Sequence, residues 1–359
     1  MAKGPDTDIT DACLFIPNDP MLPYWLSSGV IMTNTPNPAL AVVGANTSVV
    51  SVQCKASSDK TPCPSTDSQG GATRAAFQLY LAPISLNMKL SACYNATVPG
   101  DLLNGALQVG GTGIVTAGGP AVPTTVNWTS QSTDSSQPNF VDPANAPANH
   151  KCLVARCFTV PPGTHDNADT GLSDHVGLNP DNTPLDQHYA QHNLTIQAVA
   201  GGGAHRILIR TGNATREPEL VVIQAVPNID PNPAVLKAIL PGLHTIKGFK
   251  QVSNKPLRRV EFDLNPLTEG EGGGFFDKIG DFFDEGARKV ITELETKFGE
   301  ATPGGTQGKV RIPAGHYATI QFIADATGAQ PGNAYLYDLT QVTSAGQPDG
   351  GLTVALVAQ

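Results

Sequence analysis

The chain has 359 residues, 40% of them hydrophobic and 15% charged, with 22 Lys and Arg against 31 Asp and Glu for a formal net charge of -9. Apolar content of this order excludes wholesale disorder, and the lack of any basic cluster excludes the positive footprint that a nucleic-acid partner requires. No apolar run approaches the roughly 18 residues that span a bilayer, and at about 100–200 residues per domain the length suggests two domains.

The start, "MAKGPDTDITDAC", carries no apolar signal-peptide core, so a cytosolic chain, a processed export segment and another export route all stay open. Residues 1–40 read as an extended N-terminal region with a leading strand. Then "ALAVVGANTSVVSVQCKAS" alternates around Val49 and reads as one or two strands broken at Gly44 and Asn46. A polar stretch separates it from "AAFQLYLAPI", where Phe77, Leu79 and Leu81 share a face. Cys54 and Cys63 lie at the ends of part of that stretch. In an oxidising compartment they could close a loop-stapling disulfide, and two free buried thiols are the alternative. The six cysteines match no zinc spacing.

From Leu102 to Val126 turn pairs alternate with short apolar runs, giving weak strands and wide loops. "HKCLVARCFTV", His150 to Val160, is a firm strand that points Cys152 and Cys157 to opposite faces. Between Pro161 and Pro184 no periodicity survives, and this polar connection is the expected domain boundary. "NLTIQAV", "AHRILIRTGN" and "ELVVIQAV" open the second domain as three strands. Helical spacing of Phe275, Ile279, Phe282, Phe283, Val290, Ile291, Leu294 and Phe298, with an acidic opposite side, predicts an amphipathic helix near 275–298. "GKVRIPAGHYATIQFIADA", "GNAYLYDLTQV" and "GGLTVALVAQ" supply the last strands.

The fold class expected is mainly β: two tandem β-sandwich domains, immunoglobulin-like or jelly-roll-like, with one amphipathic helix inserted in the second. The expected bounds are 41–165 for the first sandwich, 166–184 for the polar linker and 185–359 for the second. His188, His192 and His205 raise a metal site. Without a Cys or carboxylate at fixed spacing, a structural reading is preferred. Asp166, Asn167, Asp169 and Asp174 offer oxygen donors but lack the pattern of a calcium loop, and a solvated linker is preferred. No nucleophile elbow, HExxH or phosphate loop is present, so no catalytic residue, metal or cofactor is expected. Five Asn-x-Ser/Thr triplets, at Asn46, Asn95, Asn127, Asn193 and Asn213, are glycosylation acceptors only in a suitable secretory pathway.

"HKCLVARCF" taken with "QHYAQHNLTI" resembles a group of bacterial tandem immunoglobulin-like, cell-adhesion-like β-sandwich modules of surface, secreted and assembly-associated proteins. That group carries GHxCLxAR, matched here by His150, Cys152, Leu153, Ala155 and Arg156, with Asn149 in place of glycine. Its second pattern, NxxAQxN, is matched by Ala190, Gln191 and Asn193. "DACLFIPND", "YWLSSGVIM" and "ANTSVVSVQCKAS" resemble the modules' first strand, tryptophan turn and asparagine-led turn. The resemblance implies that His150 and Arg156 orient interdomain polar contacts and that Gln191 and Asn193 tie the linker to both sheets. It implies no catalysis.

The function expected is a structural subunit of a homo-oligomeric or filamentous extracellular or particle-associated assembly, with self-association or protein partners. The alternative is a non-catalytic glycan- or protein-binding module using the loop before Trp128. An extracellular or surface location is favoured over a cytoplasmic one.

Overall fold

The computed structural model describes residues 14–16, 19, 21–33, 47–56, 72–83, 86–89, 94–95, 113–116, 122–129, 151–159, 175–176, 189–213, 217–264, 305–314, 317–344, 346 and 348–359. These form a mainly β molecule of several sheets with, among the described residues, a single helix.

The first half of the chain supplies β1 (Leu14–Phe15), β2 (Val30–Thr33), β3 (Thr47–Ala56), β4 (Ala72–Pro83), β5 (Met88–Lys89), β6 (Tyr94–Asn95), β7 (Gly113–Thr116), β8 (Val122–Thr129), β9 (Lys151–Thr159), β10 (His175–Val176) and β11 (Tyr189–His192). β3 pairs antiparallel with β1, β2 and β8. β4 pairs with β6, β7 and β9, while β11 adds to the other side of β9. Inside the expected linker, β10 pairs with β5.

The second half supplies β12 (Leu194–Val199), β13 (Ala204–Gly212), β14 (Glu219–Pro227), α1 (Pro233–Leu243), β15 (Gln251–Val252), β16 (Arg259–Asp263), β17 (Thr306–Ile312), β18 (Tyr317–Asp325), β19 (Asn333–Val342) and β20 (Pro348–Ala358). Five of these strands run in the order β12-β20-β19-β14-β17, with β15 also on β19, and three form a second sheet, β13-β18-β16. The β12–β20 and β15–β19 pairs are parallel. Period-two alternation explains the core between these sheets. Ile207 and Ile209 of β13 and Ile320, Phe322 and Ala324 of β18 join Val221 and Ile223 of β14, Tyr335, Tyr337 and Leu339 of β19, and Leu352, Val354 and Leu356 of β20 in one apolar cluster. The rings of Phe322 and Tyr337 pack 5.6 Å apart at a tilt, an arrangement aromatic pairs favour.

The opposite face of the larger sheet is covered as well. Leu194, Ile196, Ala334, Leu336, Ala355 and Val357 pack under α1 and a short stretch from the N-terminal region, Tyr24 to Leu26. β20 is therefore buried on both faces, which is why its sequence is a nearly continuous apolar run rather than a strict alternation. α1 presents Val235, Ile239, Gly242 and Leu243, a helical stripe, to this face. Its first turn is fixed by Asn232, whose side chain accepts the Val235 N–H at 2.9 Å, and by Pro233, whose missing N–H costs nothing there.

Several expectations change. The Cys54–Cys63 disulfide, and with it the disulfide as a feature of the chain, is corrected: there is no disulfide among the described residues. Cys54 stands inside β3, which continues to Ala56, rather than at the mouth of a loop, and its cross-strand neighbour is Val122. Cys152 and Cys157 face Ala82 and Phe77 in register, so none of these three cysteines stands opposite another. Cys63 lies outside the described residues, as does the helix expected near 275–298. α1 was not expected, and "GKVRIPAGHYATIQFIADA" divides into two strands, β17 and β18.

Candidate functional site: a buried polar junction

The chain changes sheet at one residue. β11 hydrogen-bonds to β9, β12 to β20, and Asn193 lies between them. Three pieces of the first half meet the start of β20 here: residues 21–27, residues 86–87 and residues 191–193.

Local turns aim the first piece. Asp19 accepts the Met21 and Leu22 N–H groups through its side chain and carbonyl, and the Leu26 N–H closes a turn onto the Pro23 carbonyl. These turns press Tyr24, Trp25 and Leu26 into the apolar layer beside α1, where burying each large side chain is worth about 1.5–3 kcal/mol. The Trp25 indole N–H donates to Thr353 Oγ1 at 2.8 Å. The Thr353 hydroxyl donates in turn to Asp338 Oδ1 at 2.8 Å, and Asn228 Nδ2 donates to Asp338 Oδ2 at 2.8 Å.

Asn193 makes three ties. Its backbone N–H donates to the Trp25 carbonyl at 2.7 Å, its carbonyl accepts the Thr353 N–H at 3.2 Å, and its Nδ2 donates to the Gly351 carbonyl at 2.7 Å. The Gln191 carbonyl accepts the Ser27 N–H at 3.0 Å, and Leu26 bridges to His192. Both Gln191 and Asn193 are buried. A buried amide or carbonyl left unpaired would be costly, so each of these bonds also protects the fold from a desolvation penalty.

A second polar group lies beside the first. Asn87 Nδ2 and Gln341 Nε2 both donate to Asp349 Oδ2, and the Leu86 N–H donates to the Arg210 carbonyl. Gln341 also donates to the Gly212 carbonyl at 2.6 Å and accepts from the Thr211 hydroxyl at 2.6 Å. One side chain thus joins the ends of β13 and β19, strands of different sheets.

Both groups converge on the stretch Pro348 to Thr353, "PDGGLT". A Cβ on Gly350 would overlap the Leu86 carbonyl, and one on Gly351 would overlap the Trp25 ring, so both positions need glycine for close approach. Sequence reading placed this pair at the start of the last strand and gave it no role. The signal available was glycine inside a strand, which marks a backbone or ring lying close.

The electrostatics suit a structural role. Burial pushes the Asp338 carboxyl above its ordinary value, and the hydrogen bonds from Thr353 and Asn228 pull against that shift. Burial raises Tyr337 to about 12, against a hydrogen bond in which the Leu257 N–H donates to its oxygen at 2.9 Å. Asp325, at the surface, is held low by hydrogen bonds from Thr327.

The remaining expected residues do not gather. His150 lies outside the described residues. Arg156 is in β9, opposite Gln78 and Tyr189. Tyr189–His192 is strand, so His188 and His192 cannot share a helical face, and a His205 ring nitrogen bonds the Ala200 carbonyl at 2.9 Å. No group of three His, Cys, Asp or Glu that could hold a metal occurs among the described residues. Asp166, Asn167, Asp169 and Asp174 lie outside them. Of the glycosylation triplets, Asn193 and Asn213 are buried with their Nδ2 atoms engaged, Asn213 to the Glu217 and Ile312 carbonyls. Among the described residues no helix is long and apolar enough to cross a membrane.

No family model and no curated protein matches the chain. Distant structural likenesses include bacterial collagen-binding adhesin domains. The collagen adhesin of S. aureus matches at 11% identity and a TM-score of 0.22, over 92% of this chain and 93% of that one. The collagen-binding domain of the Erysipelothrix rhusiopathiae surface protein RspB matches at 10% identity and a TM-score of 0.18, over 97% and 96%. A family 123 glycoside hydrolase from Clostridium perfringens matches at 9% identity and a TM-score of 0.25, over 47% of this chain and only 23% of the hydrolase. At these scores the likeness carries no argument about activity or partners.

Proposed function

We propose that the chain is a non-catalytic binding module of an extracellular or surface-associated protein, built from two tandem β-sandwiches over 41–165 and 185–359 that the polar junction holds in fixed orientation. In this reading residues 166–184 are the linker, Gln191 and Asn193 tie the two units, and His150 and Arg156 support them from β9 and the residue before it. Its ligands are a protein or a glycan. The observation that carries the reading is that buried polar groups around the start of β20 tie together elements distant in sequence. Trp25 and Thr353 are 328 positions apart, and Asn193 and Gly351 are 158 apart. Acids fastened in this way serve to position surfaces rather than to move protons.

The test is binding without turnover. A glycan array and immobilised collagen serve as probes, beside a panel of chromogenic glycosides and esters. Saturable binding with no hydrolysis supports the reading, whereas turnover abolished by Asp338→Asn would overturn it. Sedimentation of the same sample separates a binding module from an assembly subunit, because the latter must self-associate.

A further inference from the structure

The segment between α1 and β16 is charged in one sense only. Residues 231–260 hold six Lys and Arg and no Asp or Glu, in a chain where acids outnumber bases 31 to 22. Apart from Arg258 and Arg259 these cations are never adjacent, so the sequence shows no basic run. The fold brings five of them to one end of the two packed sheets. β15 pairs with Asn333 and Ala334, the first residues of β19, and β16 begins with Arg259 opposite Asp325, the last residue of β18. Residues 253–258 therefore cross from the larger sheet to the smaller, a step of roughly 10 Å between stacked sheets. Lys247 and Lys250 stand before the crossing, Lys255 and Arg258 within it, and Arg259 at its far side.

The backbone that carries them is fastened at each step. The Lys247 carbonyl accepts from Gln359 Nε2 at 2.8 Å, and the Lys250 N–H donates to the Gly332 carbonyl at 2.7 Å. Gly332, at a φ of 87°, leaves room for the Lys250 stem, which a Cβ there would strike. The Ser253 N–H donates to the Ala334 carbonyl, its hydroxyl donates to the Lys255 carbonyl at 2.8 Å, and the Leu257 N–H donates to the Tyr337 oxygen. All five cations are exposed, and among the described residues only Arg259 has an ion pair, with Glu261. Asp325, the other described acid at this end, accepts the Thr327 N–H. Unpaired cations held in a fixed row repel one another, and an anionic ligand that meets them relieves that repulsion at little cost in ordering the protein.

The surroundings of the row select the kind of anion. The exposed large apolar side chains among the described residues are Met21, Leu220, Val226 and Ile229, none of them aromatic and none in this segment. Single-stranded nucleic acid is gripped by bases stacked on aromatic rings as well as by charge, and duplex interfaces are far more basic than a chain of net charge -9 offers. Spaced Lys ammonium groups, each a compact point charge, suit the separate carboxylates or sulfates repeated along an acidic glycan.

We propose that the surface formed by Lys247, Lys250, Lys255, Arg258 and Arg259 binds an anionic polysaccharide bearing carboxylate or sulfate groups. This rests on the reading of the chain as a binding module and names the ligand class of that module. Calorimetric titration of the full chain with heparin and with polygalacturonate tests it and separates sulfate from carboxylate. Dextran is the neutral control and a single-stranded DNA oligonucleotide the nucleic-acid control. At least one acidic glycan binds saturably and loses affinity as salt rises, while dextran does not bind. Lys247→Glu, Lys255→Glu, at exposed positions tied only through their backbones, weakens that binding at least about tenfold with an unchanged Tm. Lys309→Glu, Arg311→Glu on β17, an equal change of charge elsewhere, leaves it within about twofold. Absence of binding to both acidic glycans, equal weakening by the two variants, or equal affinity for the oligonucleotide overturns the proposal. Saturable binding of collagen or a neutral glycan by the same sample would then leave the binding-module reading standing, and turnover of a probe would overturn both.

Discussion

Two side chains of β19 carry opposite lessons about burial. Tyr337 points into the core, and its oxygen is the acceptor for the Leu257 N–H. Tyr337→Phe keeps the ring but leaves that buried N–H unpaired, so it should cost about 1–3 kcal/mol in urea unfolding; an unchanged midpoint would contradict the bond. Asp338, next along, points to the other face, where burial raises its pKa. A raised folded value means the folded chain holds the proton more tightly than the unfolded one. The stability this group contributes is complete below the ordinary carboxyl value of about 3.9 and is lost as pH rises through the folded value. The Tm of the unmodified protein minus that of Asp338→Asn should therefore fall as pH climbs from about 4 to about 7, and a rise would refute the assignment. Neither role was legible in the sequence, because period-two spacing tells which residues share a face and nothing about which polar atom meets which.

At the scale of elements, the strands were readable where alternation was strong. "ELVVIQAV" and "GNAYLYDLTQV" became β14 and β19 nearly residue for residue, since their two faces meet different surroundings. The short pairings β1, β5 and β10 carry too few residues to show a period. α1 escaped because Pro233 and Pro241 mask its helical stripe, although Asn232 before Pro233 is a helix-start signature. Asn232 also donates to the Met21 carbonyl, so Asn232→Ala should cost at least the roughly 1 kcal/mol of a lost cap, measured by thermal melting. Gly351→Ala should displace the Trp25 ring. In a Trp128→Phe background the emission of Trp25 should shift to the red, and an unshifted spectrum would mean the ring does not lie on that glycine.

Across the whole molecule, the sequence reading set the domain boundary in the polar connection from Pro161 to Pro184, and the change of sheet itself falls at Asn193, between β11 and β12. The Asn193 side chain meets the Gly351 carbonyl 158 positions further on, a contact that no local pattern in the sequence reveals. The account stands on one claim, that the N-terminal stretch around Trp25 is fastened to β20 by specific buried polar bonds rather than by apolar contact alone. A double-mutant cycle of Trp25→Phe and Thr353→Val, followed by urea unfolding, measures it directly. Coupling of about 0.5–3 kcal/mol between the two positions is the predicted result, and strict additivity within about 0.3 kcal/mol would contradict it.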